Sequence, residues 1–267
     1  MPAPVALVPV DPCILSSYQK SGGTGGARET LIPLHKLGKA GVAHPATAEA
    51  LLALHHAVTA AGGDFRVTEL HRDVAVQKIA RAKYDAWVRA GKPPPSSASF
   101  DAKTMKAAYV ATPGRSGHNA GRSIDIDLSC LKFPGVAADK QLDKLWEIAI
   151  PLGWAPVIKE AKEGASESWH FDCWSDLKGA KDRLGYEQAC LIGAILVGHG
   201  DLESYAAIVQ ALLQRAGFDI GPVDGLAGQK TTQALMKALG VDAVGVTSLL
   251  SSQDPSIFVK LLALPAK

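Results

Sequence analysis

Cysteine is scarce in this sequence, a charge excess is missing, and no apolar run is long. The four cysteines, Cys13, Cys130, Cys173 and Cys190, show no Cys-x-x-Cys spacing. That argues against a thiolate metal site, leaves the redox compartment open and makes free thiols the expectation. Lys and Arg number 28 against 26 Asp and Glu, a net charge of +2, so no whole-chain attraction to nucleic acid is expected. The most apolar run, Ala189 to Val197, falls well short of the roughly 20 residues that a membrane-spanning helix needs. The start, Met1 to Asp11, lacks basic residues and is interrupted by Pro2, Pro4 and Pro9. No signal peptide and no membrane insertion are therefore expected. What remains is ordinary: 267 residues, 47% hydrophobic and 20% charged, suit a soluble globular protein of one large domain or two.

Chemistry concentrates in two stretches. The first runs from Pro113 to Asp127, a glycine-rich loop that passes into alternating polar and apolar residues. Alternation places Ser123, Asp125 and Asp127 on one strand face and Ile124 and Ile126 on the other. The second, Glu167-Ser168-Trp169-His170-Phe171-Asp172, reads as a neighbouring strand with His170 and Asp172 on one face. His118, Asp125 and His170 can then converge. Two imidazoles and a carboxylate leave the fourth corner of a tetrahedral zinc open for water. Glu167, three residues before His170, is too close in sequence to be a comfortable fourth ligand and hangs where a general base belongs.

The pattern Ser-x-His-x-x-Gly-x-Ser-x-Asp from Ser116 to Asp125, with Glu-x-x-His from Glu167 to His170, resembles the zinc D-alanyl-D-alanine peptidases. These include vancomycin-resistance dipeptidases and carboxypeptidases and several phage endolysins. The resemblance implies one zinc ion per chain on His118, Asp125 and His170, with Glu167 as catalytic base. The chain departs from the pattern at Ser123, where the family usually has Ala. Arg72 stands between the strand Phe65–Leu70 and a helix Val74–Ala90 that Asp73 is placed to cap, and Gln77 follows five residues on. By the same resemblance Arg72 steadies the oxyanion of the reaction. Ser116, Gln77 and Trp169 complete the substrate side, Trp169 chiefly as a packing residue that walls the site. Asp127 and Asp172 share faces with ligands and are candidates to orient a ligand histidine. His55 and His56 read as surface or packing histidines.

Elsewhere the pattern yields an irregular arm over residues 1–40, rich in Pro, Gly and Ser. A helix opens at Pro45 and ends at Gly62-Gly63, an amphipathic helix spans Ala138–Ile150, and a strand covers Trp154–Ile158. After a helix from Tyr186 to Val197, the break Gly198-His199-Gly200-Asp201 is the expected domain boundary. Beyond it, Gly217-Phe218, Gly221-Pro222-Val223-Asp224-Gly225 and Gly228-Gln229-Lys230-Thr231 between two helices resemble the small helical peptidoglycan-binding module. Leu239-Gly240 replaces the usual Phe-Gln there.

The joint expectation is an α+β chain. An antiparallel-sheet zinc peptidase domain (1–198) is followed by an all-α peptidoglycan-binding domain (201–267). The chain would be a monomer made in the cytoplasm that acts on bacterial peptidoglycan in the manner of an endolysin, without binding nucleic acid. It would cut a D,D bond; cleavage of L-alanyl-D-glutamate, or wall binding by an inert zinc site, are the alternatives.

Overall fold

The structure, a computed structural model, describes residues 3–16, 18–20, 31–33, 41–162, 164–199 and 204–267. Two short antiparallel pairs come first, β1 (Val8–Pro9) with β4 (Val42–Ala43) and β2 (Tyr18–Lys20) with β3 (Leu31–Pro33). The arm expected to be irregular therefore contributes strands, and it also buries Ile14 and Leu15 in the core. The Gly- and Ser-rich stretch Ser21–Gly26 lies outside the described residues.

The main sheet runs in the order β5 (Val67–Glu69), β6 (Ser123–Ile126), β8 (His170–Cys173), β7 (Trp154–Pro156), antiparallel throughout. Its apolar face carries Ile124, Ile126 and Phe171. These pack with Leu51, Leu54 and Val58 of α1 (Pro45–Ala60) and Leu142 and Leu145 of α3 (Gln141–Ala149). Each such side chain, fully buried, contributes about 1.5–3 kcal/mol, which is enough to fix the sheet's facing. The opposite face presents Ser123, Asp125, His170 and Asp172, and these too are buried. Register brings Asp125 opposite His170 and Ser123 opposite Asp172. Helix α2 (Val74–Arg89) starts where expected, with Asp73 Oδ1 accepting from the Ala75 amide at 2.7 Å.

A second core joins α4 (Lys178–Leu184) and α5 (Tyr186–Leu196) to α6 (Tyr205–Arg215), α7 (Gln229–Leu239), α8 (Ala243–Ser252) and α9 (Ser256–Leu262). Helix α5 closes the first domain in the sequence reading, yet its apolar faces are buried with the tail helices, so the two cores divide near Trp174. Residues 200–203, within the expected boundary, lie outside the described residues. Among the described residues no single helix is long and apolar enough to cross a membrane. All four cysteines are free thiols.

A buried ion network spans the two cores. Arg122, fully buried, pairs with Asp176 at 2.5 Å, and Arg215 of α6 holds the other oxygen of the same carboxylate at 2.7 Å. Burial works to raise the Asp176 pKa, but Arg122 and Arg215 outweigh it and hold it at about 2. Asp176→Ala leaves Arg122 charged and buried without its anion, so the chain should lose about 3–5 kcal/mol of stability, read by denaturant unfolding. A loss under about 1 kcal/mol would mean that Arg122 is satisfied by other means.

Candidate active site

The polar face of the sheet and the loop above it enclose a cavity of about 680 Å³. All eight residues given metal, catalytic or substrate-binding roles from the sequence line it: Arg72, Gln77, Ser116, His118, Asp125, Glu167, Trp169 and His170. At its floor His118 Nε2, His170 Nδ1 and Asp125 Oδ1 form a triangle with sides of 3.0, 3.1 and 3.2 Å. Three ligand atoms about 2.0–2.1 Å from one tetrahedral zinc stand a little over 3 Å apart, so the triangle has the right size.

The hydrogen bonds behind the triangle settle what it offers. His118 Nδ1 donates to the Leu70 carbonyl at 2.7 Å, which leaves Nε2 with its lone pair forward. His170 Nε2 faces Asp172 Oδ1 at 3.2 Å. A carboxylate can only accept, so that nitrogen carries the proton. Two imidazole nitrogens and a carboxylate oxygen thus meet in a buried place where a cation is required. Without metal, the cation is a proton on His170. Burial lowers its pKa, but the bonds to Asp125 and Asp172 outweigh this and hold it at about 10. The donor set fits a divalent ion equally well. Among the described residues this is also the one cluster of at least three His, Cys, Asp or Glu whose ligand atoms converge.

Of the two orienting candidates, Asp172 takes the role and Asp127 does not. Asp172 also receives the Ser123 hydroxyl at 2.5 Å. A Cβ on Gly117 would come within 1.9 Å of that hydroxyl oxygen, so the loop can close over this pair only with glycine there. Asp127 lies past the end of β6, where it caps a short 3-10 turn through the Ser129 amide and binds Ser16 and Cys130. Strand alternation stops where that turn begins. Asp172→Asn should keep the fold and loosen the metal about 10–100-fold, measured by chelator competition.

Glu167 stands at the mouth of β8, exposed, with a backbone φ of 67°. A non-glycine residue in that left-handed region costs roughly 1–2 kcal/mol, and such strain is typical of functional sites. Its carbonyl accepts from the His170 amide at 3.0 Å, which ties the exposed carboxylate to the ligand strand. Arg72 is clamped from two sides, by Glu69 Oε1 at 2.5 Å and by Gln77 Oε1 at 2.8 Å. Gln77 is fully buried and donates to the Ala111 carbonyl at 2.8 Å, so it positions Arg72 besides lining the cavity.

Glu69 escaped the sequence reading. Burial raises its pKa, but Arg72 and His118 more than offset this and keep it low. The available signal was a carboxylate within a strand, three residues before Arg72.

The family model described as VanY, D-alanyl-D-alanine carboxypeptidase, matches residues 42–176, just over half of the chain. The chain belongs to the VanY family. Every residue of the triangle, Glu167 and the Arg72 clamp lie within the VanY segment. No curated protein matches the chain. Among solved structures, a variant of the vancomycin-resistance D,D-pentapeptidase VanY from a VanB-type cassette, in complex with Zn(II), is 18% identical. The match covers 72% of this chain and 93% of that one, with a TM-score of 0.32, too distant to argue from.

Proposed function

We propose that this VanY-family chain is a zinc peptidase of peptidoglycan that hydrolyses a D,D bond, either the terminal D-alanyl-D-alanine or a D,D cross-link. The observation that carries the reading is the buried triangle of His118, Asp125 and His170 with an exposed acid, Glu167, on the rim of the same cavity. A purely structural metal site has no use for that acid. Zinc held on the triangle supplies a Lewis acid that acidifies water and polarises a carbonyl. Glu167 takes a proton from the attacking water and returns it to the departing amine. Arg72, held by Glu69 and Gln77, donates to the carbonyl oxygen as negative charge develops there. Leu70 and Asp172 fix the two imidazoles in the tautomers that point lone pairs inward.

The tail, residues 201–267, is read as a peptidoglycan-binding unit that concentrates the enzyme on polymer. The reading rests on the Gly217–Thr231 series, which folds as a turn between α6 and α7 and the first residues of α7. Gln210 pins that turn: it donates to Asp224 at 2.8 Å and to the Leu226 carbonyl at 3.0 Å, and accepts from the Gly225 amide at 2.8 Å. A monomer acting at the wall after an endolysin-type release completes the proposal. Digestion of purified peptidoglycan and defined muropeptides, with mass analysis of the fragments, tests it. Zinc-dependent release of D-alanine, or conversion of cross-linked dimers to monomers, is expected. Fragments with new D-glutamate amino termini, or no fragments at all, would overturn it.

A further inference from the structure

The VanY segment ends at residue 176, yet the cavity wall continues beyond it. Lys181 of α4 and Tyr186 and Glu187 of α5 line the cavity together with Arg115 and Trp174. This wall is fixed relative to the triangle, because α5 beds the loop that carries His118. His199, just past the helix, meets the Asn119 carbonyl through Nε2 at 2.8 Å. Gly193 lies so near Ala120 that a Cβ on it would come within 2.6 Å of the alanine Cβ. The Tyr186 hydroxyl faces the Gly117 amide.

Two cations, Arg115 and Lys181, stand in this wall. Among the described residues neither Arg115 nor Lys181 forms an ion pair. Lys181 is held over the Trp174 ring, 5.3 Å from its centroid, and Trp174 meets Tyr186 edge-on at 5.3 Å. Arg115 lines the same cavity from the loop that carries His118. The cavity, about 680 Å³, is within the roughly 300–1,000 Å³ that holds drug-sized ligands. Two alanine residues do not fill it.

We propose that Arg115 and Lys181 form a subsite for a carboxylate carried on a stem-peptide side chain beyond the alanine pair, with Trp174 and Tyr186 as its apolar floor. The inference rests on the D,D-peptidase reading above. Stem peptides differ in the residue before the alanine pair, whose side chain ends in a carboxylated or an uncarboxylated amine. The subsite selects the carboxylated form, because that charge meets two half-buried cations on the cavity wall.

The test uses the zinc-loaded full chain and two pentapeptides ending in D-alanyl-D-alanine. They differ only in whether the third residue is diaminopimelate or its carboxamide, and both keep the same C-terminal carboxylate. KM should be about tenfold lower for the carboxylated peptide, as expected for one charge-assisted contact. Lys181→Met and Arg115→Met should each raise that KM toward the value of the amide, with kcat nearly constant. Zinc content and circular dichroism monitor folding, and the two single variants on separate elements guard against loss of either. Equal KM for both peptides in the wild type, or variants that weaken both peptides alike, would overturn the subsite while leaving the peptidase reading intact. Cleavage of neither peptide would overturn the subsite, and if cross-linked dimers are left uncut as well, the peptidase reading falls with it.

Discussion

Glu167→Gln should give a folded, zinc-loaded protein that releases D-alanine about 10²–10⁴-fold more slowly than the parent. The substitution keeps the size of the side chain and the 3.0 Å bond from the His170 amide to the residue-167 carbonyl, so the turn into β8 survives. It removes only the capacity to take and return a proton. Because Glu167 is not one of the three converging ligands, metal content should remain at one ion per chain. Glu167→Ala should behave alike. Measured kcat together with zinc content decides the matter: an unchanged rate would remove Glu167 from the mechanism, and lost zinc would make it a ligand.

Stripping the metal with a chelator should abolish hydrolysis and expose a pH dependence of stability that the loaded chain does not share. In the metal-free chain His170 titrates at about 10, against an ordinary 6.5. The folded state therefore holds this proton more tightly than the unfolded chain does. That contribution is complete below about pH 6.5 and is lost as pH rises through about 10. The Tm of the metal-free chain should fall across this window. Zinc occupies the same Nδ1 lone pair, so the loaded chain should show a smaller fall, and zinc uptake at neutral pH should release a proton. Melting curves at intervals from pH 6 to 10, with and without chelator, would read both. A metal-free chain whose Tm rises over that range contradicts the shared position of proton and metal.

The contrast between what the sequence disclosed and what it hid follows from the range of the interactions. His118, Asp125, His170 and Glu167 sit in short patterns whose spacing encodes a strand face and a turn, so they were legible. Asp73 was legible as a cap for the same local reason. Glu69 was not, because its meaning depends on Arg72 folding back across a strand end and on His118 arriving from a loop far along the chain. Strand alternation placed the polar residues on one face but carried no sign that all four residues of β6 and of β8 are buried. The polar face is roofed by the metal loop and α5, a long-range event without a periodic signature. Helix α5 itself read as an apolar end to the first domain, and only packing shows that it belongs with α6 to α9.

That allegiance limits how the protein can be rearranged. A cut at residue 200 would leave α4 and α5 attached to the catalytic half with their greasy faces bare. A cut at 174 would take away the bed under the His118 loop. Replacing the tail by another module therefore has no clean seam, because the helices that follow Trp174 share one core.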